Sequence, residues 1–371
     1  MDGGLVKEVW EGRRVWVTGH TGFKGSILSH WLLESGAEVS GYALAPETSP
    51  DLYSILRLES RMHSRIADIR NPDEVRRDLE GCRPEVVFHL AAQPLVRTSF
   101  EDPAATFETN VQGSVNVLDA IRHVSSIRAC VMVTTDKCYE NTGAKGAFRE
   151  TDRLGGNDPY SASKAAAELA IASYRKCFFQ ESGTARIASA RAGNVIGGGD
   201  WSRDRLLPDC IRSLDRGEPI VLRNPHATRP WQHVLEPLSG YLRLAEKLLE
   251  AESERFAAAW NFGPAEQDDW PVQAIAELAL NHWGSGQVIV QPDKNGYHEA
   301  DYLRLDSSRA LSDLGWAPRW GTAEAVARTI AWHKAYLDGA DMIAFTTREI
   351  AEYAAAAPIA ECRPILAGTR T

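Results

Sequence analysis

Short apolar runs and amphipathic stretches alternate through the first half of the chain. Residues 13–19, RRVWVTG, put aromatic and β-branched side chains in succession and predict a strand buried on both faces. SILSHWLLESG (26–36) follows with helical spacing, and strand-like runs stand at 38–44 (EVSGYAL), 64–69 (SRIADI) and 84–92 (PEVVFHLAA). A helical NVQGSVNVLDAIRHV (110–124), the strand ACVMVTT (129–135), the helix SASKAAAELAIASYRKCF (161–178) and the strand ARIASARA (185–192) complete the series. This alternation predicts an α/β fold, a doubly wound parallel sheet of the Rossmann type.

The texture changes after GNVIGGGDW (193–201). Strand-like pieces become scattered (PIVLRN at 219–224, WNFG at 260–263, QVIVQP at 287–292) among turns rich in Pro, Trp and Asp. We read 10–194 as the sheet domain and 195–371 mainly as a smaller mixed α/β lobe, interleaved with the first and docked over the sheet's carboxyl edge. AEYAAAAPIA (351–360) reads as the fraying end of a terminal helix.

Composition narrows the function classes. The chain has 371 residues with 41 basic against 50 acidic side chains, a formal charge of −9. That balance disfavours nucleic acid or an anionic membrane as partner, while leaving room for a local basic pocket that holds phosphates. The six cysteines form no CxxC pair and no zinc-like spacing with histidine, so no metal is expected. No stretch approaches the ~18 apolar residues of a membrane span, and the N-terminus lacks an apolar signal core. A cytoplasmic, reduced setting is the expectation.

Three segments carry candidate chemistry. The first strand runs into GHTGFKG, with Gly19, Gly22 and Gly25 directly before a helix. Glycines there allow a tight turn, close approach of backbone to a pyrophosphate and close helix packing, and the helix N-terminus supplies N–H donors. Two features run against tight binding: His20 puts a bulky side chain in the turn, and no acidic residue ends the second strand before Glu47. The second segment is DPYSASK (158–164), where Tyr160 and Lys164 share one helix face and an ammonium beside the phenol favours phenolate. The third is TTDKCYEN (134–141), a Thr-Asp-Lys triplet just past a buried strand, which reads either as a solvated turn or as part of a site.

Taken together, GHTGFKG, HLAAQPLVR (89–97), TNVQGS (109–114), TTDKCYEN, YSASK and RAGNVIGGGD (191–200) resemble the extended short-chain dehydrogenase/reductase family of nucleotide-sugar epimerases, dehydratases and decarboxylases. Within it, AAQPLVR, DKCYEN, RAGNVIGGGDW and RPWQHVLEPLSGY (229–241) are similar to the 4,6-dehydratases of CDP-glucose. The resemblance implies a bound, regenerated NAD in contact with Gly19, His20, Gly22, Phe23, Lys24, Gly25, Asp68, Ile69, Ala91, Ala92, Gln93, Asn110, Tyr160 and Lys164. It implies Tyr160 as base at the C4 hydroxyl, with Thr135 bonding the C4 oxygen. It further implies Asp136 as acid at C6 and Lys137 as base at C5, where the dTDP-glucose enzymes have Asp-Glu. Lys137 must then be neutral, or else it stays protonated and stabilises the enolate while another group moves the proton. Asn194, Arg205, Arg229, His298 and Tyr302 are implied for the nucleotide end of the substrate. A homodimer or a dimer of dimers, built on the helices at 110–124 and 161–178, is the implied assembly. The rivals are a nucleotide-sugar 4-epimerase, a dehydratase for another nucleotide, and a non-catalytic NAD-binding sensor.

Overall fold

The computed structural model describes residues 7–143, 146–181, 183–265, 269–291 and 303–359. Its centre is a seven-stranded sheet in which every neighbouring pair is parallel. The strands are β1 (Arg14–Thr18), β2 (Glu38–Ala43), β3 (His63–Ile66), β4 (Val86–His89), β5 (Ala129–Val133), β6 (Arg186–Ala192) and β7 (Ala259–Phe262). Their spatial order is 7-6-5-4-1-2-3. The order reverses between β1 and β4, which opens a crevice at the carboxyl ends of those strands.

Side-chain alternation explains the two layers. Along β5, Ala129, Val131 and Val133 join one buried cluster, while Cys130 and Met132 join the other. On the first face the sheet is covered by the helices Phe23–Glu34 and Leu235–Leu249, with the helix Met342–Ala355 packed on the former. On the second face it is covered by Pro72–Cys82, Gly113–Ile121 and Pro159–Phe178. The central strands β1, β4, β5 and β6 are buried on both faces and read as largely apolar runs, whereas β3 at the edge is partly exposed.

The strand at 259–262, which the sequence pattern groups with the second lobe, pairs instead with β6 as the sheet's edge. Beyond β6 a further cluster (Leu207, Ile211, Trp231, Ile275, Val326 and Ile330) forms the core of the lobe. Short strand pairs, among them Ile220–Leu222 with Val288–Val290, frame its side of the crevice. Among the described residues, no helix is long and apolar enough to cross a membrane.

Candidate active site

Sheet and lobe enclose a cleft of about 1530 Å³. Thr135, Asp136 and Lys137 reach it from the end of β5, where Thr134 continues the ladder by donating its N–H to Ala190 O at 2.9 Å. The chain then closes a single 3₁₀ turn, Asp136–Cys138, capped by Thr135, whose Oγ1 accepts from Lys137 N at 3.3 Å. That hydroxyl also donates to Asp136 Oδ1 at 3.0 Å. The other carboxyl oxygen, Oδ2, is buried without a hydrogen-bond partner among the described residues. It lies against Gly193, where a Cβ would come within 2.9 Å of it. Burial raises the Asp136 pKa, against the opposing pull of Lys137, Thr135 and Lys24. A carboxyl held towards its protonated form suits proton donation.

Tyr160 and Lys164 lie on the helix Pro159–Phe178, which Pro159 and the Asp158 cap start sharply: Asp158 Oδ1 accepts from Ser161 N at 2.9 Å. Both side chains are buried and both line the cleft. The expected lowering of the tyrosine by its lysine is not the balance in the protein alone. Burial pushes Tyr160 up to about 12; a hydrogen bond to Thr135 works in the opposite sense. Lys164 donates to Val133 O at 3.3 Å, and burial lowers it to about 8 despite the Glu168 carboxylate. The missing ingredient is positive charge beside the phenol, which an oxidised nicotinamide supplies when bound.

Lys24 was expected on the cofactor side because it belongs to the glycine turn. It lines the cleft with Asp136 and Lys164, and the charges acting on it are those of Arg205, Asp136, Lys164 and Asp200. Burial, reinforced by Arg205, lowers its pKa to about 8. A cation in this place is not announced by the turn motif, whose reading concerns backbone and glycine.

The remaining cofactor wall fits a dinucleotide. Gly19 has φ +72°, and a Cβ on it would lie 2.8 Å from Ala91 N; one on Gly25 would lie 2.0 Å from Gly19 O. The helix Phe23–Glu34 starts at Gly22 with no side-chain cap, so its first N–H groups remain for an anion. Gly22, Phe23, Asp68, Ile69, Ala91 and Ala92 also line the cleft. Asp68 holds Arg70 in a 2.6 Å ion pair, and Thr18 Oγ1 anchors the turn after β4 by accepting from Leu90 N and Ala91 N at 3.0 Å each.

Three side chains turn away from it. His20 does not fill the glycine turn: its Nε2 bonds Ser64 Oγ at 2.7 Å and its ring packs edge-on against Tyr53. Gly41 on β2 makes the room, since a Cβ there would come within 2.3 Å of the ring. Burial lowers His20 to about 4, so the ring is neutral at pH 7. Asn110, in a π-helical turn at Glu108–Gln112, accepts from Gln93 N at 2.8 Å and donates to Ser163 Oγ at 2.9 Å. Gln93 spends its own amide on Thr106 Oγ1 at 2.9 Å. Asn110 and Gln93 therefore tie the turn after β4 to the Tyr160 helix.

On the lobe side, Asn194, Arg205 and Arg229 line the cleft. Arg205 pairs with buried Asp200 at 3.0 Å, and Arg229 donates to Thr228 O at 3.0 Å. His298 and Tyr302 lie outside the described residues. Arg97, Arg203, Arg216 and Arg223 also line this wall, and sequence reading did not single them out. Their signal, isolated arginines in loop-like stretches such as WSRDR (201–205), has no periodicity to mark it.

Comparison with known proteins follows the same lines. The family model described as GDP-mannose 4,6 dehydratase matches residues 16–329. A CDP-glucose 4,6-dehydratase of Salmonella typhimurium is 48% identical over 356 residues, covering 95% of this chain and 99% of that protein. A dTDP-glucose 4,6-dehydratase of Streptomyces griseus is 30% identical, covering 85% and 93% respectively. Among solved structures, the UDP-glucose 4-epimerase of Thermus thermophilus in complex with NAD superposes with a TM-score of 0.74 at 25% identity, covering 86% of this chain and 99% of that one. With a match over most of its length, this chain belongs to the GDP-mannose 4,6 dehydratase family.

Proposed function

We propose that the protein is an NAD-dependent lyase that converts CDP-glucose to CDP-4-keto-6-deoxyglucose and water. The observation that carries this reading is Asp136, a buried carboxyl with raised pKa, in one cleft with Tyr160. An epimerase needs a single base for the C4 hydroxyl; loss of water from C6 needs a proton donor as well. Near-full-length identity of 48% to a CDP-glucose 4,6-dehydratase supports the choice of nucleotide.

NAD, bound along the glycine turn and the ends of β3 and β4, supplies a hydride acceptor at C4 and a hydride donor at C6. Tyr160 takes the proton of the C4 hydroxyl, with Thr135 holding the oxygen. The resulting ketone acidifies the C5 proton. Asp136 then protonates the C6 hydroxyl, which leaves as water while the C5 proton is removed. Lys137, half-buried at the cleft wall, faces this step either as the neutral base that takes the C5 proton or as the cation that stabilises the enolate while another group takes that proton. Arg205 and Arg229 hold the diphosphate, for which guanidinium forks are suited.

The protein works as a dimer in this reading, through the helix Pro159–Phe178, where Leu169 is 63% and Phe178 43% exposed. The function is tested by incubating the protein with NAD and CDP-, dTDP-, UDP- and GDP-hexoses, read by mass. CDP-glucose alone should lose one water. Conversion at equal mass would identify an epimerase, and no turnover of any sugar would identify a binding module.

A further inference from the structure

Behind the site lies a buried ion pair that the chemistry above does not use. Glu168 follows Tyr160 and Lys164 on the same face of the helix Pro159–Phe178 and is 2% exposed. Its Oε1 accepts from Thr134 Oγ1 at 2.6 Å and Arg191 Nε at 2.9 Å. Its Oε2 accepts from Ser189 Oγ and Arg191 Nη2, both at 2.8 Å. Arg191 Nη1 continues to the Tyr139 hydroxyl at 2.7 Å, and that hydroxyl donates to Asn261 Oδ1 at 2.7 Å.

Thr134 and Tyr139 are the two ends of the segment that presents Thr135, Asp136 and Lys137. One carboxylate and its guanidinium thus grip both ends, from the helix that carries the tyrosine and lysine. We propose that Glu168 is a positioning residue: through Thr134 and Arg191 it fixes the dehydration groups at a set separation from the redox groups. The inference rests on the dehydratase reading. A fold-stabilising role alone gives no reason for two of the pair's bonds to fall on Thr134, just before the triplet, and on Tyr139, two residues after it. Buried ion pairs gain little stability over apolar packing, so fixing geometry is a reason to retain one. The same carboxylate favours the Lys164 ammonium against its burial.

The test separates C4 oxidation from water loss. Tyr139→Phe and Thr134→Val each remove one grip and leave the Glu168–Arg191 pair intact. Mixed rapidly with NAD and CDP-glucose, each variant should reduce cofactor at most about fivefold more slowly than the wild type, since Thr135, which holds the C4 oxygen, lies in the same segment. It should then lose water about 10- to 100-fold more slowly, the scale of a misplacement of ~1 Å, so that reduced cofactor accumulates. Thr134→Ser, which keeps the hydroxyl, should restore the wild-type time course. Glu168→Gln should slow water loss more strongly still, but because its carboxylate also favours the Lys164 ammonium it should slow cofactor reduction too, so the hydroxyl variants decide the matter. Oxidation and water loss falling together in those variants, or neither changing, would overturn the proposal. The wild type in the same assay keeps the two ideas apart. If it releases no water from CDP-glucose, the substrate reading fails, and the variants are compared on whichever nucleotide hexose it does turn over.

Discussion

On the sheet side of the cleft, Asp136 and Tyr160 hang from the end of a five-residue buried strand and the first turn of a twenty-residue helix. On the lobe side, Arg229 sits in a three-residue strand and Arg205 at the entry to a helix, its guanidinium held by Asp200. The first wall is cross-braced by buried hydrogen bonds between strands and helix; the second is short pieces over a smaller core. Proton transfer fails when groups move by an ångström, whereas a charged fork still finds a phosphate. In the proposed mechanism the two walls divide the labour accordingly: chemistry on the braced side, affinity on the other.

Substitutions can break that division. The largest effect is expected for Tyr160→Phe, with kcat falling roughly 10³- to 10⁴-fold and CDP-glucose affinity by calorimetry little changed. Retained turnover would remove the base from the sheet wall. Asp136→Asn should slow water loss about 10²- to 10³-fold while cofactor reduction persists; loss of both would place Asp136 in the redox half. Arg229→Lys should raise KM about tenfold, because the bidentate geometry goes and the charge stays, with kcat within about twofold. A fall in kcat without a change in KM would give the lobe wall a share of the chemistry.

The pH dependence sharpens the comparison further. Burial depresses both Lys164 and Lys24 to about 8, so each ammonium is present below that pH and is lost above it. The free enzyme's kcat/KM should therefore decline as pH rises through about 8. If Lys24→Met leaves that limb in place, Lys164 is its source; if the limb moves, Lys24 shares it. The smallest effect on activity is expected for His20→Ala. With the ring directed under β2, NAD affinity should hold within about twofold, while denaturation shows a loss of roughly 1–3 kcal/mol from the cavity and the lost bond to Ser64, whose Oγ keeps the Tyr53 hydroxyl.

The better-read wall is also the more regular one. Alternation along β5, the glycine turn and the Tyr160 helix are local signals: β5 ends two residues short of its expected bound, the Tyr160 helix starts two residues early and the helix after the glycine turn three residues early. What escaped reading is non-local. The direction of His20 depends on Gly41, on the neighbouring strand beyond a helix, and the grip of Glu168 on Thr134 spans 34 residues. The strand 259–262 is apolar and short, and nothing within it says which sheet it joins. The helix Leu235–Leu249 was legible as LEPLSGYLRLAEKLL, an amphipathic run, but stood inside a stretch read for its motif.

The central claim is that one bound cofactor oxidises C4 and returns the same hydride to C6 as water leaves. It is tested most directly with CDP-glucose deuterated at C4, the product being read by mass and proton NMR. Deuterium retained at C6, with a solvent-derived hydrogen at C5 and one water lost, is the predicted result. Deuterium lost to solvent, or retained at C4 of a sugar of unchanged mass, would contradict it.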